Sequence, residues 1–264
     1  MEITLIKHNL KKDSYRNIII IIIISTILAI GNLNIITLSQ KDNELNLSQI
    51  FISIFGGISY DITFEEQMIL LLQWLFPHIL ILYLLNVYIS NRLIDDMLII
   101  LPRIKNKIKW IISLHSSIFL LTIKYYFIMF FTYIVVSYIF IGEMIYLNTD
   151  YRVILSIVML SILMSISVNI LLINCNLIFG ENTITGIIVI ILLLISNFIK
   201  FSDEFIFKNI FINNSMIIRH SGFYNIKNFN IQYSIVYFVI FMVVNFIINF
   251  LLVSKLEIKK LKIF

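Results

Sequence analysis

Residues 111–141 read IISLHSSIFLLTIKYYFIMFFTYIVVSYIFI, an apolar run in which Lys124 is the one formal charge. A helix crossing the hydrocarbon core of a bilayer needs about 20 apolar residues. A membrane β-barrel would show segments of about ten residues alternating apolar and polar. This run does not alternate and exceeds the crossing length, so it reads as a transmembrane helix that tilts or protrudes. Five further stretches read the same way: 18–38, 68–90, 153–179, 184–199 and 233–253. The expected fold is all-α, a single polytopic domain over residues 1–264 with six transmembrane helices. An amphipathic N-terminal helix and short re-entrant or interfacial outer helices complete it. The stretch 184–199 is short for a crossing, which leaves its outer end open.

The 264 residues are 60% hydrophobic and 13% charged, and mean hydropathy is +0.98. Soluble domains are about 45–50% apolar and about 25% charged. A globule so poor in charge does not cover its own surface, which argues against a soluble enzyme. Disorder needs low hydrophobicity and high charge, and is excluded. Cys175 is the one cysteine, so neither an intramolecular disulfide nor a cysteine metal cluster is expected. The small residues Ala29 and Gly31 form a weak cleavage site, but the apolar stretch continues to Leu38, so the first span is expected to be retained.

Orientation follows from Lys and Arg in the loops. With the N-terminus inside, the inner segments hold Lys7, Lys11, Lys12 and Arg16, then Arg92, Arg103, Lys105, Lys107 and Lys109, then Lys255, Lys259, Lys260 and Lys262. The outer loops hold only Lys41, Arg152, Lys200, Lys208, Arg219 and Lys227. A multi-pass protein of the cell membrane with both termini cytoplasmic is expected. The net charge of +5 calls for no nucleic acid; basic residues at the inner leaflet suit anionic lipid.

The loop 91–110, NRLIDDMLIILPRIKNKIKW, begins with Arg92, Asp95 and Asp96. An apolar strip too short to span follows, ended by Pro102, since the residue before proline is pushed out of helix. Arg103 and three lysines then lead into Trp110. A short amphipathic helix of both charge signs here can dock on a cytoplasmic partner; a solvated basic loop is the plainer alternative. Semi-apolar pieces at 205–212 and 216–218, split by Asn213 and Asn214, and another at 48–58 with Gly56-Gly57, read as small helices dipping into or lying on the outer surface.

Catalytic and nucleotide motifs are absent. There is no GxxxxGK[ST], so no ATP site of the P-loop kind, and no HExxH. Glu65-Glu66 resembles the paired glutamates of intramembrane CAAX-type proteases, but Leu70 stands where that family carries arginine. No catalytic residue, metal or cofactor is expected on this chain.

The remaining signal is polar residues inside the spans. Lys124 in hydrocarbon is costly and marks a pathway, a bundle contact or a snorkelling stem. Periodicity puts it on one face with Ser113 and Ser117. Ser161, Ser165, Asn169 and Asn176 form a stripe within about 80° of arc, fit for helix packing or for lining a route. Asn245 and Asn249 are a similar pair. Pro77 frees a backbone carbonyl near Gln73 and His78.

Six spans, inner termini, a basic N-terminus, a charged inner loop and short outer elements before the last span together resemble the permease subunit of an ABC-2-type ABC transporter. In that family the loop after span two carries a coupling helix that contacts the ATPase. The resemblance assigns this role to 91–101, with Arg92, Asp95, Asp96 and Arg103, and the run 104–110 fits the basic segment that follows. It implies a separate ABC ATPase subunit, a second permease copy or a related permease, and membrane lipids as partners. The polar residues already read inside the spans, Lys124, His78, Ser161, Ser165 and Asn169, would then line a route or pack the bundle. Small permeases of this type often accompany ATPases that export antimicrobial peptides or confer immunity to them. The alternative function is a non-transporting polytopic protein acting as sensor or complex partner; a membrane enzyme is the third reading.

Overall fold

A computed structural model describes residues 15–39, 46–59, 64–99, 107–142, 149–179, 182–198, 204–222 and 229–255. Among the described residues the fold is helical, without a strand. The helices are α1 (Tyr15–Ser39), α2 (Leu47–Phe55), α3 (Phe64–Ile99), α4 (Lys107–Ile141), α5 (Tyr151–Phe179) and α6 (Asn182–Phe198). Then come α7 (Glu204–Asn209), α8 (Phe211–Ser215), a 3-10 turn (Ile217–Arg219) and α9 (Ile231–Lys255). Helices α1, α3, α4, α5 and α9 are long and apolar enough to cross a membrane. The chain is thus an all-α protein of membrane-embedded character.

Seven consecutive isoleucines, residues 18–24, open α1. In water such β-branched residues favour strands. In hydrocarbon every backbone N–H and C=O must be paired within the segment, and a lone segment achieves that only as helix.

Among the described residues five of the six expected spans fall on helices of crossing length, and the remaining stretch, 184–199, falls on α6, a helix of 17 residues. One expectation is corrected. The inner loop does not begin at residue 91, because α3 continues unbroken to Ile99. Asp95 and Asp96 are poor helix formers, but each costs under about 1 kcal/mol in a helix interior, and no breaker precedes Pro102. The small outer elements pack inward, as the dipping alternative had it: Ile212, Asn213, Asn214 and Met216 are fully buried. The N-terminal amphipathic segment, Arg103 and the tail beyond Lys255 lie outside the described residues.

Helix α5 is the hub and packs against α9, α3, α4, α2 and α6, while α1 packs along α4. Buried residues on α4 recur every four positions, at Ser113, Ser117, Leu121, Tyr125, Met129, Tyr133 and Ser137. Each such step turns about 40° around the helix, so the buried stripe spirals and does not stay on one straight face. Lys124, the middle residue of α4, sits almost directly above Ser117, but the stripe has rotated away by then. The structure places Lys124 on the exposed side, next to Ile123 and Phe127, and not with Ser113 and Ser117, which are buried.

Helices α2, α7 and α8 and the 3-10 turn gather at one end of the bundle, the capped end. Asn46 starts α2 with a capping box: its Oδ1 accepts from the Gln49 N–H at 2.9 Å while Gln49 Oε1 accepts from the Asn46 N–H at 3.3 Å. Phe51 stacks on Phe130 and Phe55 meets it edge to face, with centroids 5.7 and 4.9 Å away, well before the end of α4 at Ile141. Helix α2 therefore dips between the long helices. The Trp74 indole N–H donates to Phe55 O at 3.1 Å and ties α2 to α3.

Candidate functional site

A chain of polar side chains crosses the interior of the bundle from α3 through α4 to α5. His78 Nδ1 lies 2.6 Å from the Tyr126 hydroxyl, which lies 2.6 Å from Ser165 Oγ. One turn on, Asn169 Nδ2 donates to Ser165 O at 2.7 Å. All four residues are fully buried. Each hydroxyl has one proton and can point it either way. Tyr126 therefore donates to His78 while Ser165 donates to Tyr126, or His78 donates to Tyr126 while Tyr126 donates to Ser165. His78 Nε2 and Asn169 Oδ1 have no hydrogen-bond partner. Trp74 closes the site, its ring 4.8 Å from that of His78.

Pro77 shapes this region locally. It removes the bond to the carbonyl of Gln73, and the Gln73 side chain reaches α1, where it donates to Asn32 Oδ1. The kink-prone turn is thus held by an interhelical bond on one side and by His78 on the other.

Beside the polar chain, a cavity of about 570 Å³ opens between α3, α5 and α6. Ile79, Leu82, Tyr83, Asn86, Val87 and Ser90 line it from α3, Val168 and Leu172 from α5, and Gly186, Ile187, Val189 and Ile190 from α6. Its walls are mostly apolar, with Asn86, Ser90 and Tyr83 as polar points. Asn176 Nδ2 donates to Asn86 Oδ1 at 3.4 Å. A side chain at Gly186 would bring its Cβ within 3.2 Å of Asn86 Nδ2, so glycine lets α6 approach. The volume falls within the range of small-molecule sites, about 300–1,000 Å³.

Of the residues singled out from sequence, the structure joins His78, Ser165 and Asn169 and buries Ser161 on the same helix. It sets Lys124 apart. Arg92, Asp95 and Asp96 belong to the end of α3; Arg103 lies outside the described residues. Tyr126, the link of the chain, was not singled out: Tyr125-Tyr126-Phe127 reads as an aromatic run.

The capped end holds a second buried polar group. Arg219 Nε donates to Ile58 O at 2.9 Å and its Nη1 to Asn213 Oδ1 at 2.5 Å. His220 Nδ1 lies 2.9 Å from Met216 O, so it carries the proton, and Nε2 lies 2.8 Å from Ser234 Oγ. Burial pushes the His220 pKa down from 6.5, opposed by its bonds to the Met216 and Ile217 backbone. Arg219 thus fastens the chain after α2, and His220 fastens α9.

Among the described residues no group of three or more His, Cys, Asp or Glu is placed to hold a metal ion. Compared with protein families, curated proteins and solved structures, the chain matches none.

Proposed function

We propose that this chain is the membrane-spanning permease subunit of an ABC transporter of the ABC-2 type. It forms half of a route for a hydrophobic or amphipathic substrate and is driven by a separate ATPase. The single observation that carries this reading is that one helix, α3, both lines the cavity from Ile79 to Ser90 and continues to Ile99 with Arg92, Asp95 and Asp96 on its end. From Ser90 to Asp96 the helix rises about 9 Å. A force on the charged end is therefore passed rigidly to the cavity wall. The kink-prone turn at Pro77, above the cavity, is where such a motion is absorbed.

In this reading the uncapped end faces the cytoplasm, where the basic residues concentrate, and the capped end faces outward. A second copy or a related permease completes the route. The ATPase meets Asp95 and Asp96 through basic groups. The test is Asp95→Lys with Asp96→Lys in the native membrane. Co-purification of a P-loop ATPase should fall while the membrane level of the chain holds. Unchanged co-purification and ATP turnover sink the assignment of this helix end.

A further inference from the structure

Where α4, α5 and α9 meet, toward the uncapped end, four buried polar atoms have no hydrogen-bond partner: Nδ1 and Nε2 of His115, Oδ1 of Asn174 and Nδ2 of Asn249. The residues that carry them lie along one stretch of α9. Asn174 Nδ2 donates to both the backbone O and Oδ1 of Asn245, each at 3.1 Å. Asn249 follows one turn later, about 6 Å along the axis. Between them projects Phe246, whose ring centroid is 5.1 Å from that of His115. Asn174 and Asn249 are 3% and 1% exposed.

A buried amide without a partner is unfavourable, and no water of the hydrocarbon phase relieves it. The open valences are of both kinds. Asn174 Oδ1 needs a donor and Asn249 Nδ2 needs an acceptor, while a neutral imidazole offers one of each. An anion would leave the Asn174 oxygen unmet, and a cation would leave the Asn249 amide unmet. We propose that this junction is a binding site for a neutral ligand with both donor and acceptor, and that its resident occupant is water admitted from the uncapped end. The site is separate from the cavity between α3, α5 and α6 and does not rest on the transporter reading.

The test uses the full chain carrying Cys175→Ser, because Cys175 adjoins Asn174 and is itself half-buried. Asn174→Cys and Asn249→Cys are each exposed to 2-aminoethyl methanethiosulfonate, with Ile173→Cys, a buried apolar neighbour 1% exposed, as the reference. A thiol reacts as thiolate, and apolar burial suppresses that form, about tenfold for each unit of pKa. Both test positions should react at least about tenfold faster than position 173; equal rates overturn the proposal. Asn249→Leu gives an independent arm for cysteine variants that fail to assemble. Leucine removes a costly orphan from a dry site and raises the thermal midpoint, which overturns the proposal. At a hydrated site it strands the water and its other partners, and the midpoint falls.

Discussion

Tyr126→Phe probes the interior of the bundle most sharply. It deletes one oxygen and both of its 2.6 Å hydrogen bonds, to His78 and Ser165, while leaving the ring to pack beside Phe130 at 5.6 Å. An interhelical hydrogen bond in a membrane contributes about 0.6 kcal/mol on average and up to about 1.7. The substitution also leaves His78 Nδ1 and Ser165 Oγ without a partner in a site that is fully buried. The expected loss is about 1–3 kcal/mol. Ser165→Ala breaks only one of the two bonds and should cost about half as much. In a double-mutant cycle the two should couple by about 0.5–1.5 kcal/mol, because they share a bond. Unfolding in mixed micelles is followed by the fluorescence of Trp74, whose ring lies 4.8 Å from His78, with Trp110→Phe as background. Additivity within about 0.3 kcal/mol would refute the claim that these residues form one chain.

Gly57 has φ +99°, and a Cβ there would come within 2.4 Å of Met216 Cβ. Gly57→Ala should therefore destabilise the chain by at least about 1–3 kcal/mol, backbone strain and the clash with Met216 adding, and Met216→Ala, which keeps the Cβ, should not rescue it; full rescue would assign the effect to the Met216 side chain beyond Cβ. At the capped end the folded His220 pKa is depressed below 6.5. The unfolded chain then binds the proton more readily, so stability is full above pH 6.5 and is lost as pH falls toward the folded value. Thermal midpoints read between pH 7.5 and 5 should fall, and less so in His220→Gln; an equal fall in both would remove His220 as the cause. Lys124→Met should leave yield unchanged, since the residue is on the exposed side of α4. Lost assembly, measured by size-exclusion profile, would place Lys124 in a contact between subunits.

The spans were legible because continuous apolar runs admit only helix in hydrocarbon; apart from the inner end of α3, the long helices start and stop within a few residues of their runs. The inner end of α3 was misread because charges at Arg92, Asp95 and Asp96 look like a loop, whereas backbone continuity depends on breakers. Lys124 was placed with Ser113 and Ser117 because a straight helical face was assumed, while α4 buries a spiral of residues four apart. His78, Ser165 and Asn169 stood out as polar residues in apolar surroundings, but Tyr126 was hidden among aromatics. The capped end was least legible. Arg219 and Asn213 would be read as exposed by residue type, and their burial depends on Ile58 and Gly57, about 160 positions away in the chain.

The most direct measurement is the reactivity of Val87→Cys, in a Cys175→Ser background, toward N-ethylmaleimide in native membranes. Val87 lines the cavity from α3 and is 40% exposed, and α3 continues from there to the charged end. If an ATPase drives this chain as a permease, trapping with ATP and vanadate should change the labelling rate several-fold relative to nucleotide-free membranes. Asp95→Lys with Asp96→Lys should abolish that difference. An identical rate in every nucleotide state, with the chain intact and the cavity labelled, would contradict the transporter account.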